Sequence, residues 1–98
     1  MTGHSAAQEH ERREVVFSGR VQGVGFRYSA RSIATRFAVT GFVQNLQDGR
    51  VLLVVEAERQ EIDNFLGALR TELGRFIRSE QTTTAPTTAA YIDFAIHH

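Results

Sequence analysis

The stretch Val15-Val16-Phe17-Ser18-Gly19-Arg20-Val21-Gln22-Gly23-Val24-Gly25-Phe26-Arg27 sets two periodicities side by side. Residues 15–17 are β-branched and aromatic, the composition of a strand. Gly19, Gly23 and Gly25 interrupt that pattern, and helical spacing follows. Phe26, Ala30, Ile33, Ala34 and Phe37 stand at i, i+4, i+7, i+8 and i+11, one apolar stripe over about three turns. Arg27, Arg31, Ser32 and Thr35 lie off the stripe. The reading is a strand that passes through a glycine-rich loop directly into a helix.

The flanks extend the pattern. Residues 1–13 are polar and without period, and read as a flexible N-terminal tail ahead of a domain at 14–98. Residues 39–46 form a second strand. Gln47-Asp48-Gly49 is a hairpin signal, and residues 50–57 are its partner. In that partner Val51, Leu53, Val55 and Ala57 point one way, towards a core. Leu52, Val54 and Glu56 point the other way. Ile62, Phe65, Leu66, Leu69 and Leu73 mark a second helix, with Gly74 placed as its C′ residue. Residues 75–81 are a weak strand, residues 82–90 with Pro86 a loop, and Tyr91-Ile92-Asp93-Phe94-Ala95-Ile96 a last strand.

The order is βαββαβ with an added strand. This is an α+β, ferredoxin-like sandwich: an antiparallel-dominated sheet with two helices on one face. A right-handed crossover makes the first two strands parallel and puts the third between them. The loop at 19–25, the helix start at Arg27 and the strand end at Asn45 then meet at one edge of the sheet.

Composition excludes several classes. The 98 residues hold no cysteine, so disulfides, thiolate nucleophiles and cysteine metal sites are absent. Eleven basic and eleven acidic residues cancel, which counts against a general nucleic-acid binder. All the basic residues are arginine, so Schiff-base chemistry and a P-loop lysine are ruled out. No apolar run approaches the roughly 20 residues that span a bilayer, and the first residues lack a basic region followed by an apolar stretch. A cytoplasmic protein is expected. The four histidines lie towards the ends, without metal-site spacing. Glu56, Glu58, Glu61 and Asp63 read as strand-end and first-turn charge, not as a catalytic pair.

The glycine-rich loop carries the chemistry. Glycines between a strand and a helix let successive backbone N–H groups face one point, and the helix N-terminus adds more donors. Arg27 adds a guanidinium. Together they suit a tetrahedral dianion. A tight turn that merely uses glycines would read the same way. The amide of Asn45 can accept from a water and donate to an oxygen, although an Asn ahead of Asp48-Gly49 also suits a simple turn. Arg20, Gln22 and Arg50 read as a solvated rim.

The two motifs, Gly19-Arg-Val-Gln-Gly-Val-Gly-Phe-Arg27 and Gly41-Phe-Val-Gln-Asn45-Leu-Gln-Asp-Gly49, resemble those of the acylphosphatase family. The resemblance extends more weakly from about Val15 to the final strand. It implies hydrolysis of acyl phosphates to carboxylate and inorganic phosphate by an oriented water. It places phosphoryl binding on Arg27, water orientation on Asn45, and the phosphate-binding loop on Arg20, Val21, Gln22, Gly23, Val24 and Gly25. It implies no metal and no cofactor, a small-molecule substrate, no nucleic-acid or membrane partner, and a monomer. Leu73-Gly-Arg-Phe-Ile77 departs from the Gly-Pro and A-x-V that relatives carry there. Leu46 stands where relatives often have a hydroxyl residue. A related domain opens much larger carbamoyl-transfer proteins. The chain's length and lack of cysteine favour the stand-alone enzyme.

Two other classes remain. An RNA-binding module on this topology would show aromatics on its first and third strands, where Leu52 and Val54 stand instead. A non-catalytic anion-binding domain would keep the loop and lose the water-positioning group, whereas Asn45 is present.

Overall fold

The computed structural model describes residues 10–98. The elements are β1 (His10–Gly19), α1 (Phe26–Ala34), β2 (Thr40–Asn45), β3 (Val51–Glu58), α2 (Arg59–Leu73), a 3-10 turn (Gly74–Phe76), β4 (Ile77–Ala85) and β5 (Phe94–His97). The sheet order is β4-β1-β3-β2-β5. β1 and β2 each run antiparallel to β3, so they are parallel to each other with β3 between them. β5 adds in parallel to the outer side of β2, and β4 pairs antiparallel with β1.

Both helices pack on one face of the sheet. Val15 and Phe17 of β1, Val43 of β2 and Val51, Leu53, Val55 and Ala57 of β3 share one core with Phe26, Ala30 and Ile33 of α1. All five stripe residues of α2 are buried in the same core, as the spacing requires. Phe37 lies beyond the end of α1, half-buried, with its ring 6.0 Å from that of Phe65.

Three boundaries differ from the sequence reading. Residues 10–13 belong to β1, while residues 1–9 lie outside the described residues. No apolar alternation marks this part of the strand because its side chains are satisfied by charge. Arg13 pairs with Glu11 and with Asp63 at the start of α2, and Arg12 pairs with Glu14. The longer β1 in turn offers partners to Thr82, Thr83, Thr84 and Ala85, which extend β4 where a loop was expected. The last strand begins at Phe94, three residues later than its alternation suggested. Gly74 has φ −58°, a right-handed conformation, so it does not act as a left-handed cap. The chain tightens there into the 3-10 turn.

The face opposite the helices is covered as well. Val54 and Glu56 are only 1% and 4% exposed. Thr87 Oγ1 and Ala89 N donate to Glu56 Oε1 at 2.6 and 3.0 Å, and Thr88 N and Oγ1 donate to Oε2 at 2.9 and 2.7 Å. Arg12 Nη1 lies 3.4 Å from Oε2 and donates to Tyr91 Oη at 3.0 Å. Tyr91 packs edge-on against Phe42, the cross-strand neighbour of Val54. The segment after β4 is thus strapped across this face by one carboxylate.

That strap has a pH signature. Burial pushes the Glu56 carboxyl up, but the donors from Thr87, Thr88 and Ala89 outweigh it and hold its pKa at about 2. A carboxyl depressed in the folded state stabilises the protein above its unfolded value near 4.5, and that contribution fades as pH falls towards 2. The full shift corresponds to about 3 kcal/mol. Glu56→Gln is expected to lose about 2 kcal/mol at pH 7, because its amide NH2 faces donors. It is also expected to flatten the fall in melting temperature between about pH 4.5 and 2. Parallel acid profiles for the two chains would show that Glu56 is not the source.

Candidate functional site

The site lies where β1 ends, α1 starts and β2 ends. Gly25 caps α1 at φ 76°, a left-handed conformation that glycine adopts without strain, and Gly23 has φ 78°. These two reversals coil residues 20–25 into a compact loop. Arg20 N donates to Phe76 O at 2.9 Å, which anchors the start of the loop. Among the described residues, the N–H groups of Val21, Gln22, Gly23, Val24 and Gly25 donate to no backbone carbonyl. No side chain caps α1, and no acidic residue stands in its first turn. These loop amides and the positive end of the helix therefore both stand at the junction of β1 and α1.

Val21, Gly23, Gly25, Phe26, Arg27, Tyr28 and Asn45 line a cavity of about 220 Å³ there. Arg27 and Asn45 come from elements far apart in sequence, and the topology brings them together as expected. Val21 is fully buried and roots the loop in the core, and Val24 packs against that core from the edge.

Gln22 does not lie on a solvated rim. Its Nε2 donates to Leu46 O at 2.8 Å and to Arg50 O at 2.9 Å. The side chain clips the loop to the base of the β2–β3 hairpin, next to Asn45. Arg50 turns to Asp48, with Nε 2.7 Å from Oδ2. Arg20 is not among the residues that line this cavity; with Gly19, Arg75, Phe76, Ile77 and Arg78 it lines a separate one.

The hairpin turn closes without help from Asn45. Leu46 N donates to Arg50 O, Gly49 N to Leu46 O, and Arg50 N to Asp48 Oδ1. Asn45 Oδ1 is buried and accepts no hydrogen bond from the described residues. A turn-forming Asn spends its side chain on nearby backbone, and this one does not. Asn45 instead lines the cavity.

Two contributors escaped the sequence reading. Tyr28 lines the cavity and is largely exposed, with the Arg31 guanidinium 5.8 Å from its ring centroid. Its position off the apolar stripe was the available signal. Arg27 Nη1 donates to His97 O at 3.3 Å and lies 3.4 Å from His98 Nδ1. The His97 ring stacks on Phe42 at 4.2 Å. The end of β5 thereby steadies the guanidinium, a contact 70 positions away that no local pattern announces.

Among the described residues no three His, Asp or Glu side chains gather where they could hold a metal ion. No helix there is long and apolar enough to cross a membrane.

Comparison with known proteins matches this geometry. Residues 13–96 match the family model described as acylphosphatase. The chain is 45% identical to an acylphosphatase of Archaeoglobus fulgidus over 58 residues, 59% of this chain and 65% of that relative. It is 40% identical to one of Clostridium acetobutylicum over 70 residues, 71% of this chain and 76% of that relative. The chain thus spans just under two thirds of the first relative's length at 65%. The crystal structure of acylphosphatase from Bacillus subtilis superposes with a TM-score of 0.80 at 26% identity, over 90% of this chain and 99% of that one. With the match running from β1 to β5, across nearly all of the described fold, the chain belongs to the acylphosphatase family.

Proposed function

We infer that the protein hydrolyses the carboxyl–phosphate bond of small acyl phosphates, releasing a carboxylate and inorganic phosphate. One observation carries this reading: Val21, Gly23 and Gly25 of the loop line a single cavity with Arg27 and Asn45, in a chain of this family. An acyl phosphate already has a good leaving group. The remaining needs are stabilisation of a loose, anionic phosphoryl transition state and placement of one water in line with the departing carboxylate. The amides of residues 21–25 and the Arg27 guanidinium supply the first as preorganised donors. Asn45, held at the end of β2, supplies the second by position. No strong base is required, which fits an amide at that place. Gln22 acts indirectly, by fixing the loop relative to Asn45.

The protein is further read as a cytoplasmic monomer with no nucleic-acid partner. The zero net charge supports the absence of a nucleic-acid partner, as does the strap that covers the sheet face an RNA-binding module would offer.

The test is phosphate release from acetyl phosphate and from a phosphate monoester, each with and without EDTA. Turnover of acetyl phosphate is expected to be strongly preferred and to persist in the chelator. No turnover, or activity lost in EDTA and restored by a divalent ion, would overturn the reading.

A further inference from the structure

Every basic side chain here other than histidine is an arginine, and most are paired. Arg12, Arg13, Arg36, Arg50, Arg59 and Arg70 each meet a carboxylate. Among the described residues, Arg20, Arg27, Arg31, Arg75 and Arg78 do not. These unpaired guanidiniums are not scattered. Arg27 and Arg31 belong to α1, at the far end of the loop. Arg20, Arg75 and Arg78 line one cavity of about 280 Å³ at its near end.

The near cavity is held in shape by backbone contacts. Gly19 has φ 132°, and a Cβ there would stand 2.4 Å from Phe76 O and 2.7 Å from Arg78 N. Only glycine lets β1 approach the 3-10 turn so closely. A bulge between Ser18 and Gly19 and the Arg20 N–H to Phe76 O bond complete the joint. Arg75 lies over the Phe76 ring at 4.4 Å, which restricts its guanidinium. The nearest carboxylates in sequence are occupied elsewhere: Glu72 pairs with Arg36 and Glu80 with Arg70. Three like charges around one cavity repel each other, and an anion between them relieves that repulsion.

We propose that Arg20, Arg75 and Arg78 form a second anion subsite, which takes the far end of an acyl phosphate bearing a further carboxylate or phosphate. The inference rests on the hydrolytic reading above and names the substrate class for it. Residues 20–25 separate the two anion sites, so a substrate charged at both ends bridges the loop. Guanidiniums grip carboxylate and phosphate oxygens in pairs, which gives such a substrate affinity that acetyl phosphate lacks.

The test compares the parent chain with the double variant R75A/R78A, which leaves residues 20–25, Arg27 and Asn45 untouched. The substrates are acetyl phosphate and the ω-carboxyacyl phosphates succinyl, glutaryl and adipoyl phosphate, at low ionic strength. For the best of the three ω-carboxyacyl phosphates, KM is expected to rise about tenfold in the variant with kcat nearly unchanged. Acetyl phosphate kinetics should not change, and salt should erase the difference. Equal effects on all substrates, or no effect on any, would overturn the proposal. A second readout needs no turnover: inorganic phosphate should shift the amide resonances of residues 75–78 in the parent chain and not in the variant. Those shifts without hydrolysis would remove the enzymatic reading and the bridging substrate while leaving an anion site. Their absence would remove the site itself.

Discussion

Asn45→Ala is expected to lower kcat by roughly 10²-fold or more while competitive inhibition by phosphate stays nearly unchanged. The asymmetry follows from where the side chain sits. Asn45 lines the cavity from the end of β2, whereas the loop amides and Arg27 approach from the other side. Removing the amide costs the position of the attacking water and leaves the phosphate donors in place. Asn45→Asp is the sharper control. It keeps the size and the acceptor but removes the NH2 donor and sets a negative charge beside an anionic substrate, so it should be at least as damaging. If Asn45 served only the turn, both variants would lose thermal stability and the folded fraction would keep its turnover. The closed turn, made by Leu46, Gly49, Arg50 and Asp48 alone, argues for the catalytic outcome. Measuring kcat, phosphate inhibition and melting temperature on one preparation separates the two.

Arg27→Lys is expected to lower kcat/KM for acetyl phosphate by roughly 10²–10³-fold, the scale of losing one preorganised donor to a developing anion. Phosphate inhibition should weaken in step, unlike in Asn45→Ala. A lysine offers a point charge, which cannot bridge two phosphoryl oxygens as a guanidinium does. The fold should survive, because Arg27 lies off the buried stripe of α1 and its polar contacts are with His97 O and His98 Nδ1. Near-normal kinetics in the variant would place the phosphate on another arginine. A collapse of melting temperature would make the residue structural.

Much of this was legible in the sequence because hydrophobic spacing reports burial directly. The stripes of α1 and α2 and the inward set of β3 are spaced apolar residues, and each but Phe37, which lies beyond the end of α1, is buried where its period puts it. The convergence of Arg27 with Asn45 followed from the shared direction of β1 and β2, whose ends lie at one edge of the sheet. Residues 10–13 and 82–85 were hidden for the opposite reason. Their strand character rests on paired charges and on one strand lengthening another, and neither leaves an apolar trace. Glu56 looked like ordinary strand-end charge, since its donors lie in a proline-containing stretch more than 30 positions on. The clip made by Gln22 and the support that His97 gives Arg27 are likewise tertiary contacts without a local signature.

The Gln22 clip has a consequence for how the chain acquires its site. The loop is held by carbonyls 24 and 28 positions downstream, and its guanidinium by one 70 positions downstream. Contacts between such separated positions exist only once the intervening chain has been brought back. A chain in which the β2–β3 hairpin or β5 has not docked possesses the glycines, the helix start and the arginine, yet has no organised receptor for an anion. On the proposed function, phosphate is therefore expected to discriminate between the finished fold and partly assembled ones, and to draw the population towards the former by mass action.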